Sequence, residues 1–225
     1  MFAGLEFIFR IGQLMSDPHA LTSTVELEAL YGQPVSGSIL KEIPVINQAY
    51  RALIEASPFC VLATSGPEGL DASPRGDAPG FVRVVDEKTL LLPDRRGNQR
   101  IDSLRNIVRD PRVALLFLIP GVGETLRVNG RGVLTTDPEV LASFAVDGNL
   151  PKTVLRLTVD TVYFQCARAL ARSKLWDPSY HVARGSLPST GTLTVAARDS
   201  KRDTTEFDAN AYDVALAERQ KATLY

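Results

Sequence analysis

Short segments of apolar, or alternating apolar and polar, residues recur along most of the chain, separated by Gly, Pro and Asp. This pattern predicts β-strands, because alternate side chains of a strand point to opposite faces of its sheet. The predicted strands are Phe59–Thr64, Gly69–Ser73, Phe81–Val85, Thr89–Leu92, Arg112–Ile119, Glu124–Thr135, Thr153–Phe164 and Thr192–Ala197. We expect Pro74–Asp77 to interrupt the second strand and Gly130 or Gly132 to bend the sixth.

Other segments show helical spacing of apolar residues or helix-capping residues at their ends. The predicted helices are Val25–Leu30 (capped by Thr22 or Ser23), Val45–Ala56, one from near Asn98 with Ile101, Leu104 and Val108 on one face, one from Asp137–Pro138 to near Gly148, Gln165–Leu175 and Tyr212–Gln220. Residues 198–208 are polar and are predicted to be flexible. Many short strands with helices only at intervals favour a mainly β protein with an antiparallel barrel.

Composition narrows the classes of protein that fit this pattern. The 225 residues are 44% hydrophobic, which is enough for one domain with a substantial core. The formal net charge of -1 gives no reason to expect nucleic acid or an anionic membrane as a partner. Cys60 and Cys166 cannot form a disulfide framework, and with His19 and His181 they give no cluster at metal-ligand spacing. No metal site is therefore predicted.

The beginning of the chain, MFAGLEFIFRIGQLM, is apolar but does not have the pattern of a secretory signal. Glu6 and Arg10 interrupt the apolar run, and no positively charged segment precedes it. No run in the chain approaches the roughly 20 apolar residues that span a bilayer. We expect a soluble cytoplasmic protein, with Met1 or Met15 as its true first residue.

An arginine-rich segment, Asp71–Arg105, has the composition of an anion site. Its arginines are Arg75, Arg83, Arg95, Arg96, Arg100 and Arg105. A helix beginning near Asn98 would present free backbone N–H groups and the positive end of its dipole, and Gly97 would let an anion approach closely. Neighbouring guanidinium groups would add forked donors for phosphate oxygens. The segment predicts a phosphate-binding corner, with a solvated basic loop before an ordinary helix as the alternative.

In chain order, the segments SPFCVLATSG, DASPRGD, PGFVRVVDEKTLLLPDRRGN, RIDSLRNI, PRVALLFLIPGVGETLRVNGRG and RSKLWDP resemble the pyridoxamine 5′-phosphate oxidase-like superfamily. The resemblance is strongest to a bacterial subgroup of FMN-binding proteins and covers roughly Thr22 to Pro178. It implies a six-stranded antiparallel split β-barrel, with FMN bound at the interface of a homodimer. The implied FMN-binding domain is residues 22–178, between an N-terminal extension, 1–21, and a partly flexible C-terminal extension, 179–225.

The resemblance also implies the cofactor-binding residues. The phosphate contacts would be Arg75, Arg95, Arg96, Asn98 and Arg100, with Ser73 beside Arg75 as a further cofactor-binding residue. The ring edge would meet the backbone of Leu92, Pro93 and Asp94. Asp77 is either a turn residue or a partner that orients an arginine or a ribityl hydroxyl. The predicted catalytic residues remain unknown, because flavin chemistry needs no side-chain nucleophile.

Two further groups would approach the flavin ring in the family's dimer. The first is Glu124 and Thr125, with Arg127 either beside them or simply facing solvent. Glu124 stands where an amide would be expected, and a carboxylate there would repel the negative charge that reduced flavin develops near N1. The second group is Arg172, Ser173, Lys174 and Trp176, whose cations could stabilise the reduced flavin.

The function implied is an FMN-dependent oxidoreductase that transfers a hydride between flavin N5 and a small donor or substrate, such as NADH or NADPH. Pyridoxamine phosphate oxidase activity itself is not expected, because the family's substrate-phosphate residues find no match in Ser179–Tyr225. One alternative is a non-catalytic binding or carrier protein for flavin or another planar cofactor, such as haem or a deazaflavin. Another is an interaction module whose basic segment only keeps it in solution.

Overall fold

The computed structural model of the chain describes residues 17–223 and 225. The choice between Met1 and Met15 as the first residue lies outside the described residues. The chain divides into two compact units, Met1–Lys41 and Glu42–Tyr225. Each unit has its own pattern of burial and is therefore treated separately.

The described part of the first unit is helical. It contains α1, Thr24–Tyr31, and α2, Ser36–Leu40. The Ser23 hydroxyl caps α1 by accepting a 3.2 Å hydrogen bond from the Glu26 N–H, which decides between the two predicted caps. Gly32 ends α1 with φ +69°, a conformation that glycine adopts without strain. The predicted helix is confirmed here.

The second unit is built around one antiparallel sheet. Its strands are β1 Phe59–Gly66, β2 Gly69–Gly76, β3 Arg83–Val84, β4 Thr89–Pro93, β5 Arg112–Leu118, β6 Thr125–Thr135 and β7 Val154–Gln165. They are hydrogen-bonded in the order β2-β1-β5-β6-β7-β4-β3, which is open at both ends. The mainly β, antiparallel prediction is confirmed. The sheet has seven strands instead of six, because the two-residue β3 extends its edge, and the backbone pairing does not close it into a barrel.

The helices of the second unit lie before, between and after these strands in the chain. They are α3 Gln48–Ala56, α4 Asp102–Arg109, α5 Pro138–Ser143, α6 Arg168–Ser173, α7 Thr190–Ser200 and α8 Ala209–Ala222. The helix α3 contributes Tyr50 and Ile54 to the core, while α4 packs on β1, β2 and β6. No helix among residues 17–223 is long and apolar enough to cross a membrane.

One face of the sheet supplies most of the core. Every second residue of the long strands is buried on this face, as their alternation predicted. The buried set includes Cys60, Leu62, Val113, Leu115, Phe117, Leu126, Val128, Leu155, Leu157 and Val159. Burial raises the pKa of the Cys60 thiol to about 12, although nearby Arg75 acts to lower it, so this thiol is neutral in the core. This agrees with its prediction as a core residue.

The predicted bend in β6 is confirmed at Gly130. The register between β6 and β7 shifts between Asn129 and Gly130. A Cβ atom at Gly130 would lie 2.1 Å from the backbone oxygen of Thr158, so only glycine fits this close approach of the two backbones.

Two strand predictions are wrong. The strand β2 runs through Pro74 and Arg75 to Gly76 without interruption, and Pro74 is paired with Val61. Proline is tolerated there because β2 is an edge strand, which needs hydrogen bonds on one side only. The predicted strand Thr192–Ala197 lies inside the helix α7. Its Ser189 cap and close packing against α8 at Gly191 override the strand preference of its threonine and valine residues.

Several helix predictions need correction at their ends or faces, including Val45–Ala56, which begins at Gln48 in the structure. The helix α4 begins at Asp102 and buries Ser103, Asn106 and Ile107, whereas the expected face residues Ile101 and Val108 are exposed. The helix capped by Asp137 ends at Ser143, before the predicted end near Gly148. The helix α6 is shorter than predicted at both ends, and residues 198–200 of the expected flexible segment belong to α7.

Candidate functional site

The sheet curls until the side chains of two distant strands meet. Arg75 lies near the end of β2, and Asp94 follows the last residue of β4. These strands are first and sixth in the hydrogen-bonded order, yet Arg75 Nη1 donates to Asp94 Oδ1 in an ion pair. This contact closes the sheet through side chains where the described backbone shows no pairing between β2 and β4. We call Arg75 together with residues 94–100 the basic corner.

Arg75 is held from two sides and still has donors to offer. Its Nε donates to the Ser73 hydroxyl at 3.2 Å, and its Nη1 donates to Asp94. The remaining N–H groups of the guanidinium have no partner among the described residues, and the side chain is 19% exposed. A fork of free donors on a fixed guanidinium is the arrangement that binds a phosphate group.

Arg95 is held by the protein through Nε and Nη1. Its Nε donates to Asp77 Oδ2 at 2.7 Å, and its Nη1 donates to the backbone oxygen of Phe144 at 2.7 Å. The ring of Tyr225 lies 5.6 Å from the guanidinium carbon, and the Tyr225 hydroxyl donates to Asp77 Oδ1 at 2.7 Å. Asp77 also accepts from the N–H of Ala78. Both readings of Asp77, as a turn residue and as a partner of an arginine, therefore describe real contacts.

These contacts give Asp77 an unusual acidity. Burial acts to raise its pKa, but the hydrogen bonds from Tyr225, Ala78 and Arg95 and the charge of Arg95 outweigh burial and hold the pKa below its ordinary value of 3.8. A lowered carboxyl pKa stabilises the folded state above the unfolded pKa, and this stabilisation is lost as the pH falls through the folded pKa.

We expect the Asp77→Asn variant to be less stable than the unmodified protein near neutral pH, with a difference that shrinks below about pH 4. Chemical denaturation at a series of pH values measures it. Asp160→Asn is the control, because Asp160 is exposed and its ion pair with Arg131 spans 3.8 Å. A stability difference for Asp77→Asn that is the same at pH 3 and pH 7 would contradict the linkage.

The rest of the basic corner is exposed. Arg96 has no hydrogen bond or ion pair among the described residues, whereas Arg100 donates to Asp102 at 2.9 Å. The side chain of Asn98 accepts from the N–H of Arg100 at 3.0 Å, and α4 begins only at Asp102 without a side-chain cap. The prediction that this helix begins near Asn98 is therefore wrong, and Gly97 and Asn98 lie in the loop before it. Their predicted contact with phosphate remains a prediction.

Leu92 and Pro93 are placed in the core. They pair with Leu155 and Val154 of β7, and the N–H of Asp94 donates to the Thr153 oxygen at 2.9 Å. The side chains of Leu92 and Pro93 are buried, so what they could offer a ring is backbone. Asp94 differs, because its carboxylate reaches Arg75. Their predicted contact with a flavin is not tested by this geometry.

Trp176 of the second predicted group lies at the turn before β6, the strand that begins beside the first group. The indole N–H of Trp176 donates to the Val122 oxygen at 2.8 Å, which brings Trp176 to the turn before Glu124. Glu124 is exposed, and Thr125 contacts Gln165 of the neighbouring strand at 3.5 Å. Trp176 is thus a packing anchor that also connects the two predicted ring-contacting groups.

The other residues of RSKLWDP make local contacts or are exposed, and their predicted contact with a flavin remains a prediction. Lys174 has φ +51° at the end of α6, and its ammonium donates to the Tyr180 hydroxyl at 2.8 Å. Ser173 donates to the Leu170 oxygen at 3.1 Å, and Arg172 is exposed. Arg127 donates to the Tyr163 hydroxyl at 3.0 Å on the outer face of the sheet, so it is not simply a solvent-facing residue.

Two residues that were not predicted from the sequence, Ser103 and Asp71, reach Arg75 indirectly. Ser103 is 3% exposed and contacts both Ser73, at 2.9 Å, and Asp71. Ser103 precedes the buried pair Asn106 and Ile107 by about one helical turn, so helical spacing through these three residues is the signal that could have identified it.

The fold and the basic corner both lie within the part of the chain that matches a known protein family. A family model described as pyridoxamine 5′-phosphate oxidase matches residues 46–166, a span that contains all seven strands, Arg75 and the basic corner. This span is more than half of the chain. The chain belongs to the pyridoxamine 5′-phosphate oxidase family.

Solved structures show weaker similarity. HupZ of Group A Streptococcus is 20% identical, over 54% of this chain and 94% of its own, with a TM-score of 0.45. General Stress Protein 26 of Bacillus anthracis is 16% identical, over 50% of this chain and 88% of its own, with a TM-score of 0.38. A protein of Clostridium acetobutylicum related to general stress protein 26 is 15% identical, over 51% and 84%, with a TM-score of 0.39. A search of curated proteins found no match.

Proposed function

We propose that the protein binds FMN and that Arg75 contacts the FMN phosphate. The observation that carries this proposal is the guanidinium of Arg75, held by Ser73 and Asp94 with its remaining N–H groups unpaired among the described residues. It lies within the span that matches a family whose members commonly bind FMN. The proposal therefore rests on a donor arrangement of this chain together with its family.

The charges of the basic corner indicate which other residue would contact the phosphate. Three of its arginines each have an acidic partner: Arg75 with Asp94, Arg95 with Asp77 and Arg100 with Asp102. Arg96 alone in the basic corner has none among the described residues. Its charge is uncompensated and exposed, so we propose Arg96 as the second phosphate contact, with Arg95 as a structural residue.

Bound FMN would supply hydride transfer at its N5 atom, and the chain would supply position and electrostatics. We propose an oxidoreductase, in which Arg75 and Arg96 fix the phosphate end and so orient the ring. No described residue needs to act as a nucleophile. Glu124 would disfavour negative charge on any ring close to it, which would make reduction of the flavin harder.

We further propose a homodimer formed by the outer face of the sheet. Three apolar pairs lie side by side on this face of β1 and β5: Phe59 with Leu118, Val61 with Leu116 and Ala63 with Ala114. These side chains are partly or well exposed in the single chain. Polar pairs between β6 and β7, including Arg127 with Tyr163, border them. An apolar centre beside a polar margin is the usual composition of an interface between identical subunits.

The absorbance spectrum of the purified protein tests this function. We expect a flavin spectrum as isolated or after adding FMN, and bleaching by NADH or NADPH in the absence of oxygen. A flavin spectrum that no small donor bleaches would favour a carrier over an oxidoreductase. A haem or deazaflavin spectrum, or no binding of FMN, would contradict the proposal.

A further inference from the structure

Ser103 connects the helix α4 to Arg75 of the basic corner. It lies in the first turn of α4 and is 3% exposed. Its hydroxyl contacts the carboxylate of Asp71 and lies 2.9 Å from the hydroxyl of Ser73. Ser73 in turn lies 3.2 Å from Nε of Arg75. Four side chains thus form one continuous series of hydrogen bonds.

The direction of every bond in this series follows from its two ends. The guanidinium of Arg75 can only donate, and the carboxylate of Asp71 accepts from Ser103. Ser73 therefore accepts from Arg75 and has its single hydrogen left for Ser103. Ser103 accepts that hydrogen and gives its own to Asp71. Each hydroxyl donates once and accepts once, so the series has one arrangement and no competing one.

This series fixes Arg75 where an ion pair alone would not. Asp94 holds one end of the guanidinium, Nη1, and Ser73, two residues before Arg75 on β2, holds Nε. Without the second contact, the guanidinium could turn about its pairing with Asp94 and present its donors differently. With both contacts, the remaining N–H groups face one direction before any ligand arrives, which reduces the entropy lost on binding.

We propose that Ser103 is a positioning residue for phosphate recognition, acting on Arg75 through Ser73 while Asp71 anchors the series. This inference rests on the proposed function, because it concerns the same phosphate site. The affinity for a flavin that carries a phosphate should depend on Ser103. The affinity for riboflavin, which has the same ring and no phosphate, should not.

The test compares the affinities of FMN and riboflavin, measured by quenching of flavin fluorescence, for four forms of the full chain. The forms are the unmodified protein, Ser103→Ala, Ser103→Thr and Thr64→Val. We expect Ser103→Ala to weaken FMN binding by roughly 3- to 10-fold, the size of one lost hydrogen bond, and to leave riboflavin unchanged. Ser103→Thr keeps the hydroxyl and restores the preference for FMN.

Thr64→Val is the matched control. Thr64 accepts from Asn106 of the same helix at 3.2 Å and is 5% exposed, but it does not belong to the series. This variant removes one buried hydrogen bond between β1 and α4. It should keep the preference for FMN. If Ser103→Ala fails to fold, Asp71→Asn tests the series from its half-buried end. An amide can donate as well as accept, so the new side chain would no longer dictate the direction of the hydrogen bonds in the series.

The outcomes separate this inference from the proposed function. If the unmodified protein prefers FMN and Arg75→Ala removes that preference, but Ser103→Ala and Asp71→Asn keep it, the positioning role is overturned and the proposed function stands. If Thr64→Val reduces the preference as much as Ser103→Ala does, the effect is general loosening of α4 and the positioning role is again overturned. If the unmodified protein has no preference for FMN, both proposals fail.

Discussion

The Arg75→Ala variant is expected to bind FMN roughly 10- to 100-fold more weakly than the unmodified protein, with riboflavin binding almost unchanged. The reason is that Arg75 offers a fixed fork of unpaired donors, and hydrogen bonds between two charged groups are the strongest that the basic corner can make. Titration of both flavins at low and at high salt measures the effect. The preference for FMN should also weaken with salt in the unmodified protein, because exposed Arg96 is screened.

Two comparisons make this result specific. Arg109→Ala removes an arginine of α4 that pairs with Glu68, away from the basic corner, and should leave both affinities unchanged. Arg75→Lys keeps the charge but loses the planar fork, so it should recover only part of the affinity. FMN binding that survives Arg75→Ala at every salt concentration would show that the phosphate lies elsewhere.

The second large effect is expected at the outer face of the sheet, where Leu116→Glu should convert a dimer into a monomer. Leu116 pairs with Val61 at the centre of the apolar pairs of β1 and β5. Two carboxylates brought together in an apolar interface would lose hydration and repel each other. Light scattering coupled to size-exclusion chromatography gives the mass directly, and the partial exposure of Leu116 means that the variant should still fold.

Leu70→Glu is the control for this experiment. Leu70 is 88% exposed in β2, and the same substitution there should not change the mass. FMN titration of the monomeric Leu116→Glu protein then asks whether the partner contributes to the site. A large loss of affinity is expected if both subunits contact FMN, whereas unchanged affinity would assign the whole site to one chain. A dimer that persists in Leu116→Glu would place the interface on another surface.

Strands that are apolar at every second position were predictable from the sequence nearly to their ends. The predicted strand Arg112–Ile119 is observed as Arg112–Leu118, and Thr153–Phe164 is observed as Val154–Gln165. Their period of two residues is set by the buried face of the sheet, which the sequence records directly. The strand prediction for Thr192–Ala197 failed because the helix formed there depends on a cap and on contact with another helix. Neither produces a periodic pattern in the sequence.

The sequence singles out residues of the candidate site but not the contacts between them. Arg75 and Asp94 could each be singled out, yet their ion pair depends on the curling of the sheet, which no local pattern encodes. The helix α4 was assigned an apolar face that is exposed, because its true buried face includes Ser103 and Asn106, whose polarity is compensated by hydrogen bonds. Buried polar residues of this kind look like surface residues in a sequence.

The ion pair between Arg75 and Asp94 has a consequence for how the wall of the sheet can move. A junction made by two side chains can open and reseal by rotation about single bonds, without unzipping any strand. An anion bound by the remaining N–H groups of Arg75 would leave this ion pair in place and would restrain the arginine further. Binding at the site would then also steady the junction.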